Sequence, residues 1–143
     1  MIKPRIYLSG AIEFTTDAYS WRNTMFRELH DTYEVVIPDL IPCPFTKDDD
    51  EYGAWVKKNF ILPDMKDVAT CHKFFVYIDH TYSSGTYGEL SLAAWLNKDI
   101  VCFLDKGIKV NELPMWILGC LSDCTFVNSI NDAIIYYKKE NVT

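Results

Sequence analysis

Short apolar runs alternate along this chain with longer stretches in which apolar residues recur every three or four positions. Ile6–Tyr7–Leu8, Val35–Val36–Ile37, Phe74–Phe75–Val76–Tyr77–Ile78 and Ile100–Val101–Cys102–Phe103–Leu104 read as strands, with Thr125–Phe126–Val127 as a possible fifth. Runs apolar on both faces suit a parallel sheet covered by helices on each side. Ser9–Gly10 is expected to turn the chain after the first run, and Pro38 to stop the second. Trp21 to His30 reads as a helix, with Trp21, Met25, Phe26 and Leu29 at i, i+4, i+5 and i+8. Tyr52 to Cys71 is mostly helical, and Pro63 should kink or divide it because proline lacks an N–H and crowds the preceding turn. Thr86–Leu96 is the next helix, with Glu89, Leu92, Ala93 and Leu96 on one face. A short helix over Pro114–Gly119 and a last one over Ile130–Lys139 complete the order.

Strands alternating with helices predict an α/β fold. At 143 residues, positions 1–143 fit one domain. The prediction is a three-layer, flavodoxin-like (Rossmann-like) domain with a five-stranded parallel sheet, since no G-x-G-x-x-G follows the first strand. The loop from Asp39 to Asp50, rich in proline and ending in Asp48–Asp49–Asp50–Glu51, reads equally as a lid over a pocket or as a solvated surface loop.

Composition narrows the function classes. The formal charge is −6 and the cations are scattered, so a nucleic acid polymer is an unlikely partner while a single anionic metabolite is not excluded. No stretch of eighteen uncharged apolar residues predicts a membrane span, and the N-terminus has no secretion-signal pattern, so a cytoplasmic location is expected. The five cysteines, Cys43, Cys71, Cys102, Cys120 and Cys124, form no C-x-x-C pair and read as core or boundary thiols. His30, His72 and His80 have no cysteine at zinc-ligand spacing, so neither a metal nor another cofactor is expected. Trp21, Trp55, Trp95 and Trp116 read as packing residues, although one of them, or Phe14 or Phe45, could stack on a ligand.

Candidate chemistry centres on S-S-G-T-Y-G-E-L-S-L at Ser83–Leu92, directly after the third strand. Ser84 or Thr86 can cap a helix there, and Gly85 permits a tight turn. Glu89 would then fall within about the first turn, at the carboxyl end of a strand, where open α/β sheets bind ligands. A carboxylate held ionised by the helix dipole and nearby N–H groups can act as a nucleophile. Taken alone, Glu89 could equally be an ordinary surface residue.

Four stretches, in order over nearly the whole length, make the chain resemble the nucleoside 2-deoxyribosyltransferase superfamily, which includes the 2'-deoxynucleoside 5'-monophosphate N-glycosidases. They are I-Y-L-S-G-A-I at Ile6–Ile12, N-F-I-L-P-D-M at Asn59–Met65, the strand F-F-V-Y-I, and S-S-G-T-Y-G-E-L-S-L-A with the later I-V-C-F. The resemblance implies that Glu89 attacks the anomeric carbon and forms a glycosyl-enzyme, that Asp64 places or protonates the base, and that Tyr7 lies near the nucleophile. It also implies that Ser9, Gly10, Ala11 and Ile12 begin a substrate-binding loop. Family members are dimers or larger, so Asn128 or Ser129 is expected to reach a neighbouring subunit's site in a homodimer or higher oligomer. Transferases acting on free nucleosides usually carry an aspartate six residues before the nucleophile; this chain has Ser83 there, with Ser84 and Gly85 beside it. The monophosphate hydrolases resemble it in this respect, since hydroxyls and helix-start N–H groups donate to a phosphate that a carboxylate would repel. Arg22 is a further phosphate contact on this reading, or else a solvated first-turn residue.

Breaking an N-glycosidic bond builds positive charge on the sugar and negative charge on the base, so one carboxylate below C1' and one acid near the base suit it. The expected activity is hydrolysis of 2'-deoxynucleoside 5'-monophosphates through a covalent glutamyl-sugar intermediate. The alternatives are base exchange between deoxynucleosides by a deoxyribosyltransferase and a non-catalytic nucleotide-binding protein.

Overall fold

The computed structural model describes residues 2–13, 15, 17–81 and 83–140. Five strands run β1 (Arg5–Gly10), β2 (Glu34–Val36), β3 (Lys73–Ile78), β4 (Asp99–Leu104) and β5 (Thr125–Val127), all parallel, in the spatial order β2-β1-β3-β4-β5. This is the flavodoxin-like arrangement expected. The helices are α1 (Ser20–Leu29), α2 (Tyr52–Val56), α3 (Leu62–Thr70), α4 (Ser84–Trp95), α5 (Met115–Cys120) and α6 (Ile130–Glu140).

Side chains alternate across each strand, which sorts the core into two layers. Tyr7, Phe74, Val76, Ile78, Ile100 and Cys102 face Val68 of α3, Leu90 and Ala93 of α4, and Ile117 of α5. Ile6, Leu8, Phe75 and Val101 face Met25 and Leu29 of α1 and Ala133, Ile134 and Tyr137 of α6. Cys71 and Cys102 are core thiols as expected; burial pushes the Cys71 thiol up to about 11.

Several local expectations change. β1 continues through Ser9 and Gly10 because both stay paired, Ser9 opposite Val76 and Gly10 opposite Tyr77. On α1, Arg22 takes a core position with Met25 and Leu29, whereas Phe26 faces outward and stacks on His30. Between α2 and α3 the helix does not stop at Pro63. It widens into a π-helical stretch, Lys57–Ile61, and returns to α geometry at Leu62, so the wider turn just before Pro63 accommodates its ring and its missing N–H. Trp21 packs on Phe75 and Tyr77 and Trp55 on Phe60, but Trp95 and Trp116 are exposed rather than packed.

Gly10 is required by crowding. A Cβ there would stand 2.8 Å from Trp21 Cζ2 and 3.2 Å from the Tyr77 carbonyl oxygen. Gly10→Ala should therefore destabilise the protein by about 1–3 kcal/mol, the usual range for overpacking. A lower midpoint in urea unfolding is the expected result; an unchanged midpoint would mean that Trp21 swings aside freely.

Candidate active site

The chain leaves β1 toward β2 on one side and β3 toward β4 on the other, so the connections after these neighbouring strands diverge. A crevice opens at such a switch point, at the carboxyl ends of the strands. Helix α4 starts at this crevice. Its cap is Ser83, not Ser84 or Thr86: Ser83 is extended, and its Oγ accepts from the Thr86 N–H at 3.2 Å and pairs with Thr86 Oγ1 at 2.7 Å. Gly85 consequently lies inside the first helical turn rather than in a tight turn before it.

Glu89 is the sixth residue of α4, two positions deeper than expected and in the second turn, and only 8% exposed. Its donors are strand hydroxyls rather than helix N–H groups. The Tyr7 hydroxyl donates to Oε2, and the Ser9 hydroxyl donates to Oε1 at 2.7 Å. Two residues apart on β1, Tyr7 and Ser9 point to the same face, the one α4 covers. Burial pushes the Glu89 carboxyl above its ordinary range, while the hydrogen bonds from Tyr7 and Ser9 and the positive charge of Arg22 pull it back. The Tyr7 phenol is pushed far upward, by burial first and then by the Glu89 charge, so it stays a donor.

Asp64, in the first turn of α3, faces the same crevice. Its carboxyl is pushed up to about 7, by burial first and then by the negative charge of Glu89, with smaller contributions from Asp67 and Asp39. Two carboxyl groups in one cleft thus have unequal surroundings: one receives two hydroxyl donors, the other is left to hold its proton near neutrality. Such a division is how enzymes separate a nucleophile from an acid.

The cleft around them has a volume of about 460 Å³, within the range of small-molecule sites. Ser83, Ser84, Gly85 and Thr86 form one wall, Val56, Phe60 and Asp64 of the long helix another, and Gly10, Ile12, Glu13, Pro38, Asp39 and Leu40 the loops. Phe60 sits in the π-helical stretch, edge-on to Trp55 at 5.2 Å, and offers an aromatic surface to the cleft. Four carboxylates line the cleft, and among the described lining residues there is no lysine or arginine. Among the described residues no group of three or more histidines, cysteines, aspartates or glutamates could hold a metal ion.

The structure thus brings Glu89, Asp64, Tyr7, Ser9, Gly10, Ile12, Ser83, Ser84 and Gly85 to one place. Arg22 belongs elsewhere. It is 0% exposed, and its guanidinium donates to the carbonyls of Leu8 (3.3 Å), Gly10 (2.7 Å) and Ala18, stacked 4.4 Å from the Trp21 ring. It holds the end of β1 and acts on Glu89 through charge alone, neither as a phosphate contact nor as a solvated residue. Ala11 is buried behind the cleft wall. Asn128 and Ser129 follow β5 and are not among the residues lining the cleft; Ser129 Oγ accepts from the Asp132 N–H at 2.9 Å and caps α6. Phe14 lies outside the described residues, and Phe45 does not line the cleft. Phe60, Glu13 and Asp39 were not singled out from sequence, although Phe60 lies inside the Asn59–Met65 stretch.

A larger cleft, about 630 Å³, opens on the opposite face of the sheet between α1 and α6. Its Asp17 and Asp79 carboxylates accept backbone N–H groups of Ser20 (3.0 Å) and Thr81 (2.8 Å). Among the described residues that line it there is no counterpart of the buried Glu89 with its hydroxyl donors.

No protein-family model and no curated protein matches the chain. Solved structures do. A conserved protein from Enterococcus faecalis V583 is 16% identical with a TM-score of 0.69, over 97% of this chain and 99% of that one. A 2-deoxyribosyltransferase from Bacillus psychrosaccharolyticus is 20% identical with a TM-score of 0.66, over 96% and 95%. The CMP N-glycosidase BcmB of Clostridium botulinum is 16% identical with a TM-score of 0.60, over 94% and 98%. What they share with this chain is the fold. The shared fold extends over almost the entire chain. Among the described residues no helix is long and apolar enough to cross a membrane.

Proposed function

We propose that this chain hydrolyses the N-glycosidic bond of 2'-deoxynucleoside 5'-monophosphates. The observation that carries the reading is the buried Glu89 carboxylate, held by Tyr7 and Ser9 and facing the cleft that also contains Asp64. In the first step a Glu89 oxygen bonds to C1' as the bond from C1' to the base nitrogen breaks, and the Asp64 proton passes to the departing base. In the second, water attacks C1', its proton returns to Asp64, and the bond to Glu89 breaks to release the sugar phosphate. The Tyr7 and Ser9 hydroxyls stabilise the carboxylate as leaving group and hold it below the sugar. Phe60 offers a surface for the base. The enzymes of similar fold include one named for deoxyribosyl transfer and one named for N-glycosidic cleavage of a nucleotide, which supports this class of reaction.

The 5'-phosphate fits the first turn of α4, where Ser84 and Gly85 line the cleft and the early N–H groups of a helix have no intrahelical acceptor. A second reading, base exchange between uncharged deoxynucleosides, is favoured by the four carboxylates and the lack of a cationic side chain among the described lining residues. Incubation with deoxynucleoside monophosphates and with deoxynucleosides, each with and without a second free base, separates them. Free base released from the monophosphates without an acceptor is the expected result. Turnover of nucleosides only, and only with an added base, would replace hydrolysis by transfer; binding without turnover would remove both.

A further inference from the structure

The walls of the cleft differ in kind. The start of α4 supplies the hydroxyls of Ser83, Ser84 and Thr86, whereas the loop after β2 and the long helix supply Pro38, Leu40, Val56, Phe60, Ile61 and Met65. Apolar walls of this sort take a flat ring, and the few polar groups among them decide which ring and which way round. Among the described residues that these two segments turn toward the cleft, only Asp39 and Asp64 carry polar side chains. Asp39 lies on the loop after β2, which is tied to the start of α1 because the Tyr19 hydroxyl donates to the Pro38 carbonyl at 3.3 Å. The two carboxyls are neighbours: after burial and the charges of Glu89 and Asp67, the charge of Asp39 also helps to hold the proton on Asp64. Asp39 itself is exposed, and among the described residues none donates a hydrogen bond to it.

We propose that Asp39 is a specificity-determining residue which, beside Asp64, selects nucleotides whose base carries an exocyclic amino group next to an acceptor ring nitrogen, namely cytosine and adenine. The inference rests on the hydrolysis proposed above and names the bases it takes. A carboxyl that keeps its proton donates a hydrogen bond, and a carboxylate only accepts. Asp64 and Asp39 therefore present a donor beside an acceptor. Cytosine answers with N3 as acceptor beside its N4 amino donor, and adenine with N7 beside its N6 amino donor. Thymine and uracil reverse both, with N3–H toward the acid and O4 toward the carboxylate. Guanine keeps N7 but sets O6 against the carboxylate. Between apolar walls such a mismatch leaves an acceptor facing an acceptor, which costs more than a missing bond. As the Asp64 proton moves onto the ring, the amino group becomes a stronger donor, so its bond to Asp39 tightens while the base departs.

Two pairs of compounds isolate the amino group by replacing it with oxygen: dCMP with dUMP, and dAMP with dIMP. Release of free base gives kcat/KM for each with the parent chain, Asp39→Asn and Asp39→Ala; a nucleotide that is not cleaved is titrated by calorimetry instead. Position 39 is exposed, so both substitutions leave the core untouched. The expected result is a preference of roughly tenfold or more for the amino member of each pair, falling toward one in both variants. Asparagine can also donate, so dUMP and dIMP should improve in absolute terms in Asp39→Asn, a gain that damage to the fold would not produce. Equal use of both members by the parent, or a preference that both variants keep, would overturn the base selection and leave hydrolysis in place. Nucleotides bound with this preference but not cleaved would remove hydrolysis and leave the base selection standing. Binding of none of the four would overturn both.

Discussion

Replacing Glu89 with Gln should abolish turnover, by roughly 10³-fold or more as for other residues that form the covalent bond, while the protein stays folded. Glutamine keeps the shape of the side chain but offers no anionic oxygen to C1'. The Tyr7 and Ser9 hydroxyls that now donate to Oε2 and Oε1 can rotate, one still donating to the amide oxygen and the other accepting from the amide nitrogen. Stability should move the opposite way from activity. Burial raises the Glu89 carboxyl above its ordinary value of 4.5, so above pH 4.5 the folded state holds this proton when the unfolded state has lost it. Stability therefore falls as pH rises through that window, and the loss persists above it. Gln has no such dependence, so E89Q should melt near the parent at low pH and no lower than it at pH 7. Steady-state turnover and thermal melts of the two proteins check this; a variant that is folded and still turns over substrate would sink the covalent mechanism.

Asp64→Asn should lower kcat by about 10²–10⁴-fold, the span for loss of a general acid, and remove one limb of the pH profile. With its carboxyl pushed up to about 7, Asp64 holds below that pH the proton that the proposed reaction passes to the departing base, and loses it above. The parent rate should then fall about tenfold per pH unit on the alkaline side, and the residual rate of D64N should be flat there. Linkage has the same sign as for Glu89. The unfolded carboxyl titrates near 3.8 and the folded one near 7, so stability declines between these values as pH rises. D64N should match the parent melting temperature near pH 4 and exceed it at pH 8, by less than the full shift implies because the group is partly in contact with solvent. A parent profile without an alkaline limb near 7, or one that D64N shares, would remove Asp64 from the acid role. Glu89→Gln offers a cross-check, since without the Glu89 charge the Asp64 carboxyl should titrate lower.

Much of this was legible from residue order. Apolar runs such as Phe74–Ile78 and Ile100–Leu104 can only be satisfied inside a sheet covered on both faces, and the helical periods between them leave little but a parallel arrangement. The unit Ser83–Leu92 after β3 marked the place of a carboxylate in the cleft for a related reason: crevices open at the carboxyl ends of parallel strands. Arg22 was not legible in this way. A cation in the first turn of a predicted helix looks solvated or ligand-directed until the carbonyls of Leu8, Gly10 and Ala18 are seen to converge on it. Pro63 was half legible. Its missing N–H announces a disturbance, but a π-helical turn absorbed it without ending the helix.

Local sequence determined the elements, their order, and the identity of the two carboxylates, because periodicity, capping and chain breaking act over a few residues. Tertiary structure alone decided what those carboxylates are. Tyr7 and Ser9 lie about eighty positions from Glu89 along the chain, and only the pairing of β1 beside β3, with α4 laid across them, turns two strand hydroxyls toward it. A pKa is set by burial and by neighbours in space, and neither is a property of the sequence until the chain has folded.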